Sequence, residues 1–304
     1  MDRRLTNMNI NENIIEKAVK LSIVILTYNR KDKVLRCIDS CIQSNITCKS
    51  EIIVIDNHST DGTRELIESK YFKDVNYYYM DCNLGAPQGR NKGFSLAKGE
   101  YVLFLDDDIY FKSNSVIDSL LKVKIANDQI AIVTTKIFDV VENKLIHEIE
   151  SKEKRKGNLV NVLSFHGAIH IVKKSDFNNM LYSSKVKFGF EELMLSLSTV
   201  DRGFRVVCDK NITVMHDHPR FLQSQERKLV ALKSLLYAKK STLPTMFYPV
   251  VMLMHYLRCI KHFGINLNQI KNATNIDIEF KVEDKISFKT VLKLLKDYGF
   301  AKLF

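Results

Sequence analysis

The 304-residue chain has no tryptophan, only four prolines and only eleven glycines. So few chain breakers leave no stretch that reads as a flexible linker between domains. Its six cysteines, at 37, 41, 48, 82, 208 and 259, form no C-x-x-C pair, and four residues separate Cys37 from Cys41 in a helical stretch. They read as reduced, cytosolic thiols rather than a disulfide framework. The first twenty residues hold no apolar core of a signal peptide, and nowhere do eighteen apolar residues run together. The expectation is a cytoplasmic protein that neither carries an export leader nor spans a bilayer.

What is present is a globular balance, 45% hydrophobic and 27% charged, which excludes a disordered chain and a polytopic membrane protein. The net charge is +11 and unevenly spread: residues 221–304 hold 14 basic and 6 acidic side chains (+8), residues 1–220 hold 32 and 29 (+3). A basic tail of this kind serves nucleic acid, an anionic membrane surface, or solubility alone.

From residue 21 short apolar runs alternate with amphipathic stretches. LSIVILT (21–27), EIIVID (51–56), VNYYYM (75–80) and EYVLFLD (100–106) read as strands, separated by helical patterns such as Val34, Leu35, Ile38 and Ile42. Strands buried on both faces between helices predict a parallel α/β sheet with its ligand site beyond the carboxyl ends of the strands, where the polar clusters fall. Residues 130–220 are more mixed: AIVTTKIF and VNVLSFHGAIHIV read as strands, LMLSLSTVDRG as a helix, FRVVCDKNITVMH as two short strands. The predicted division is an amino-terminal arm (1–20), an α/β domain (21–220) and a helical basic extension (221–304).

The strongest local signal is Asp106-Asp107-Asp108 at the end of an apolar strand. Three adjacent carboxylates repel, so a cation is their natural partner, and hard oxygen ligands suit magnesium or manganese with a phosphate completing the shell. The rival reading, a helix cap, needs only one aspartate.

SIVILTYNR (22–30), IVIDNHSTDGT (53–63), NLGAPQGRNKGFSLAKGEYVLFLDDDI (83–109) and FGFEELMLSLSTVDRGFRV (188–206) together resemble the successive motifs of family 2 glycosyltransferases, inverting enzymes of the GT-A fold. The resemblance implies that Thr27 and Tyr28 line a nucleotide pocket and that Asp56 accepts a hydrogen bond from the imide N–H of uracil or thymine, a proton cytosine lacks. It implies that Asn83 and Arg90 contact the base or diphosphate. Asp106 is expected near the ribose and Asp108 on the metal, with Asp107 at the variable position. It implies that Glu192 is the catalytic base, with Glu191 as the alternative, although the family usually has an aspartate there and Met194 replaces a further acid. His216 matches a histidine that completes the metal shell in several members, so the metal set is Asp108, Asp106 and His216, with His218 the lesser candidate. His166 and His170 stand equally open to packing or acceptor contact. The implied reaction is metal-dependent (Mn2+ or Mg2+) transfer of a sugar from a UDP- or dTDP-sugar to a saccharide, free or lipid-linked, of the cell surface. A nucleotidyltransferase is the enzymatic rival, but TYNRKDK lacks a glycine-rich phosphate loop; a non-catalytic adaptor on the same fold is disfavoured by intact acids at 106, 108 and 192.

In the tail, MFYPVVMLMHYL (246–257) is apolar but too short to span a membrane, with Lys239 and Lys240 before it and Arg258 and Lys261 after it. Phe288, Val291, Leu292, Leu295 and Tyr298 predict one helical face, Lys289, Lys293 and Lys296 another. Peripheral contact with an anionic membrane, at the inner face of the cell membrane, and packing on the catalytic domain are the two competing expectations. Nucleic acid is not expected, for no groove-reading motif accompanies the charge.

Overall fold

The computed structural model describes residues 19–146, 148, 150–152, 157–177, 181–183, 189–218, 225–276 and 285–304. Most of the arm and the boundary near Arg220 lie outside the described residues. In chain order the elements are β1 (Leu21–Thr27), α1 (Lys31–Ile42), β2 (Ser50–Asp56), α2 (Thr63–Lys70), β3 (Val75–Tyr79), α3 (Gly85–Leu96), β4 (Tyr101–Asp106), β5 (Ile109–Tyr110) and α4 (Val116–Ile125). β6 (Ile130–Asp139), β7 (Lys144–Ile146), β8 (Leu159–Asn161), β9 (Ile169–Lys173), α5 (Glu191–Asp201) and β10 (Arg205–His216) complete the α/β part. The extension is helical: α6 (Gln225–Thr242), α7 (Tyr248–Phe263), α8 (Leu267–Thr274), α9 (Phe288–Tyr298) and α10 (Phe300–Leu303).

One sheet in the order β3-β2-β1-β4-β9-β6-β10-β5 organises the chain, with β7 beside β6 and β8 beside β10. The expectation of a parallel sheet holds for β3, β2, β1 and β4, and again for β6 with β10. It fails at β9, which runs antiparallel to both β4 and β6. Crossover helices make neighbours parallel; between β6 and β9 no α-helix occurs among the described residues, so the chain can come back in the opposite sense. The two short strands expected from FRVVCDKNITVMH are one strand, β10, whose pairing with β6 jumps between Asp209 and Thr213. This irregularity absorbs the polar DKN triplet without ending the strand.

Both faces of the strands are covered. Ile23, Ile25, Leu103 and Leu105 pack with Val34, Cys37, Ile38 and Cys41 of α1, while Val24, Ile55, Val102 and Phe104 pack with Phe94 of α3. α3 lies so close to β1 that a Cβ at Gly89 or Gly93 would fall 2.4 Å from Leu26 Cδ1 or 2.2 Å from Val24 Cγ1. Glycine at these two positions therefore sets how near Arg90 comes to the strand ends.

The extension packs on the α/β part. Leu236, Val251, Val291, Leu294, Tyr298, Leu303 and Phe304 share a core with Leu163 and with Leu193 and Leu197 of α5. On α9 the predicted apolar face is shifted: Val291, Leu294 and Tyr298 are buried, whereas Phe288 and Leu292 stay about half exposed, at 48% and 51%. Its lysines border solvent, on the side away from the buried Val291, Leu294 and Tyr298. No helix among the described residues is long and apolar enough to cross a membrane.

Candidate active site

Parallel register brings the polar ends of the central strands into one row. Thr27 stands opposite Asp56 across β1 and β2, and Leu26 stands opposite Asp106 across β1 and β4. One residue further on, Thr27 Oγ1 donates to Asp107 Oδ2 at 2.8 Å. Arg30, which begins the turn into α1, donates through one nitrogen to Asp107 Oδ1 at 3.0 Å and Asp108 Oδ2 at 2.8 Å. Asp107 is thus a buried tie rather than a spacer. Burial, together with the neighbouring Asp108 charge, pushes its carboxyl up to about 7 despite Arg30.

β10 brings His216 to the triplet. It stands opposite Ile109 in the pairing with β5, and Asp217 N–H donates to the Asp108 carbonyl at 2.9 Å. His216 Nε2 lies 3.1 Å from Asp108 Oδ1, yet this buried oxygen has no hydrogen-bond partner. A carboxylate oxygen and an imidazole nitrogen facing one another without hydrogen-bond alignment form a donor pair that a divalent cation fits. Asp106 does not join them: its Oδ1 accepts from Arg90 at 2.7 Å. Burial works against its charge, but the Arg90 guanidinium holds its carboxyl below the ordinary range. Among the described residues no three His, Cys, Asp or Glu side chains converge as a metal shell. His218 pairs with Asp139 at 2.8 Å, its ring 5.0 Å from that of His216.

Arg90 is the hub of the other half. Its side chain is only 4% exposed, and besides Asp106 it reaches Glu191 Oε1 at 3.3 Å and Glu192 Oε1 at 3.8 Å. Both glutamates open α5, and the chain enters that helix through two successive left-handed residues, Gly189 (φ 78°) and Phe190 (φ 65°). A phenylalanine there is strained, and the strain aims the first turn at Arg90. Burial pushes the Glu192 carboxyl up to about 8, with Glu191 adding to the rise and Arg90 opposing it. Glu191 is more enclosed, and its Oε2 has no hydrogen-bond partner.

The loop before β9, not singled out by any motif, completes the site. The Ala168 carbonyl accepts from Asp106 N–H at 2.9 Å. The His166 ring packs edge-on to His216 with centroids 5.3 Å apart, and burial, then the His216 charge, lowers its pKa to about 4. Between them, a Cβ on Gly167 would fall 2.1 Å from Glu192 Oε1 and 3.0 Å from both terminal nitrogens of Arg90. Gly167→Ala should therefore leave the melting temperature near wild type, because the ends of flexible side chains can yield, while lowering transfer at least about tenfold through displacement of Glu192. Unchanged turnover by a folded variant would refute the contact. His170, by contrast, is a core residue, hydrogen-bonded to the Tyr182 hydroxyl at 2.7 Å and stacked on Phe104.

A cleft of about 300 Å³ opens at the strand ends, lined by Thr27, Tyr28, Arg30, Asn57, Asn83 and Asp106 among others. Tyr28 forms its exposed lip, and Asn83 Oδ1 accepts from Gly85 N–H at 2.9 Å at the start of α3. Asp56 lies behind this surface with no exposure, its oxygens accepting from Ser59 N–H and from the Tyr77 hydroxyl, each at 2.7 Å. Its neighbour Asn57 reaches the cleft instead. Arg30, Asn57 and Gly167 were missed by the sequence reading. For Arg30 a signal existed, a cation just past the end of a strand beside an acid triplet; for Gly167 none did, since its partners are distant in the chain.

Comparison with known proteins places this geometry. The chain is 35% identical over 103 residues to a poly(ribitol-phosphate) beta-glucosyltransferase of Bacillus spizizenii, a match covering 33% of the chain and only 16% of that longer protein. Residues 1–349 of S. aureus TarS in complex with UDP-GlcNAc superimpose with a TM-score of 0.63 at 16% identity, over 84% of this chain and 79% of that one. The mannosyltransferase PcManGT of Pyrobaculum calidifontis, in complex with GDP-Man and Mn2+, superimposes with a TM-score of 0.58 at 16% identity, over 88% and 80%. These likenesses show a GT-A fold with a helical carboxy-terminal region. The profile of glycosyl transferase family 2 matches residues 22–181, more than half of the chain, on the same strands and loops that carry the acid triplet, Arg90 and Gly167; the chain belongs to that family.

Proposed function

We propose that this protein transfers a sugar, with inversion, from a UDP- or dTDP-sugar to a hydroxyl of a cell-surface saccharide, free or lipid-linked. The observation that carries the reading is Arg90. One buried guanidinium reaches Asp106 on the nucleotide side and Glu191 and Glu192 on the other, so donor and acceptor chemistry lie within the reach of one side chain. The acceptor hydroxyl attacks the anomeric carbon as the bond to the diphosphate breaks, and its proton passes to Glu192. Asp108 and His216 would hold Mn2+ or Mg2+, which when bound neutralises charge developing on the departing diphosphate. Thr27, Tyr28, Asn83 and Asp106 line the nucleotide side. Asp56 accepts from the base once the base replaces the Tyr77 hydroxyl as donor.

Six free cysteines support a cytoplasmic setting. The Bacillus relative, named for poly(ribitol-phosphate), supports a polymeric acceptor. Because Arg30 neutralises Asp107 and Asp108, an arriving cation competes with it. Arg30→Ala should tighten Mn2+ binding to the nucleotide-free protein by roughly fivefold in an electron paramagnetic resonance titration; weaker binding would show that Arg30 supports the site rather than shielding it.

Hydrolysis of a panel of nucleotide sugars with and without Mn2+ tests the reading. Release of UDP or dTDP only with metal is the expected result. Equal hydrolysis of CDP-sugars would remove the role given to Asp56, and inertness toward every donor would sink the transferase reading itself.

A further inference from the structure

Helix α7 has two apolar faces, and only one of them is used. Val251, His255 and Cys259 are buried against the neighbouring helices. On the opposite side Leu253, Tyr256, Leu257 and Ile260 form a stripe at helical spacing with exposures of 59, 42, 52 and 43%. The stripe runs on through the turn at Gly264 into Ile265 and Leu267, exposed at 85% and 74%. Six large apolar side chains on one edge of α7 and the start of α8 are a patch of the size that marks an interaction surface.

The surrounding charge says what covers it. From Arg227 to Ile276, fifty residues, the chain has no aspartate or glutamate and eight lysines and arginines. Lys261 and Lys271 are exposed beside the stripe and its continuation. An apolar ridge bordered by exposed lysines complements a layer that is apolar inside and anionic at its surface. A second copy of this chain would meet the ridge with an equally basic face rather than the anionic rim that the lysines favour.

We propose that the α7–α8 edge docks the protein on a membrane surface carrying anionic lipid headgroups. The apolar residues enter the headgroup boundary and the lysines hold the phosphates. This site is distinct from α9, whose Val291, Leu294 and Tyr298 are buried in the core shared with α5, α6 and α7, and it does not depend on the reading of the active site.

The test is sedimentation of the full chain with vesicles of phosphatidylcholine alone or with 30% phosphatidylglycerol. Binding to the anionic vesicles, at least about tenfold weaker to the neutral ones and weakened by salt, is expected. Leu253→Glu with Leu257→Glu should abolish it, and Lys261→Glu with Lys271→Glu should reduce it about tenfold. Both double variants lie on the solvent side and should keep wild-type donor hydrolysis in vesicle-free buffer, which separates this outcome from failure of the transferase reading. No binding to anionic vesicles, or equal binding by the leucine variant, overturns the proposal. So does a wild-type dimer that the leucine variant converts to a monomer, which would assign the ridge to a second copy.

Discussion

Glu192→Gln should lower sugar transfer by about 10²–10⁴-fold while leaving donor affinity within about twofold of wild type. The amide keeps the shape and contacts of the side chain but cannot take the acceptor proton. Arg90 remains paired, since Asp106 and Glu191 still face it, so the nucleotide side stays in place. The same substitution should stabilise the ligand-free protein at alkaline pH. A carboxyl at about 8 in the folded chain against 4.5 when solvated favours folding fully below 4.5 and loses that contribution as pH rises through 8. Glutamine removes the loss, so its melting temperature should exceed wild type at pH 8.5 and approach it near pH 5. A gain on the order of 1 kcal/mol is a rise of about 2–4 °C in a protein of this size. In the wild type kcat/KM should rise with pH to an inflection near 8, because the proposed role as base requires the ionised form. Normal turnover by the glutamine variant would move the base to Glu191; a melting temperature lowered at every pH would show that the carboxyl is structurally required.

Asp108→Asn should abolish transfer, by at least about 10³-fold, with the fold intact. Asp108 is the one triplet member that faces His216, through an oxygen that no hydrogen bond satisfies. An amide oxygen is a far poorer ligand for a hard cation than a carboxylate. Mn2+ affinity measured without nucleotide should fall roughly 100-fold, which separates loss of the metal from loss of chemistry. The fold should tolerate the change, because Arg30 keeps Asp107 as partner and Asp107 loses the neighbouring charge that helps raise its own carboxyl to about 7. Undiminished Mn2+ binding would reassign the metal to other side chains.

Much of this site was legible in sequence because it lies at the ends of strands. An apolar run that stops at a polar cluster gives both the strand and the position of its end, so the acid triplet stood out before any fold was known, while Thr27 and Asn83 came from the resemblance to the family's motifs. His216 came from the same resemblance, at the end of ITVM, and the pairing of β10 with β5 explains its place beside Asp108. Asp56 shows the limit of such reading. The strand end was right, but Ser59 and Tyr77 enclose the carboxylate, and the contact that buries it comes from β3. Asp107, taken as a variable position, is tied down because Thr27 sits one register step from it.

The four ordered motifs carried the resemblance to the family; composition and local pattern gave the central strands, the acid triplet and the basic, helical character of the extension. These follow from short-range rules: period, turn chemistry and the cost of adjacent like charges. The antiparallel course of β9, the placing of Gly167 between Arg90 and Glu192, and the use of α9 for packing while α7 leaves a ridge in solvent depended on contacts between residues tens to hundreds of positions apart. A helical wheel can show that two faces are apolar. Which of them is covered depends on where the chain returns, and that is set by the packing of the whole fold.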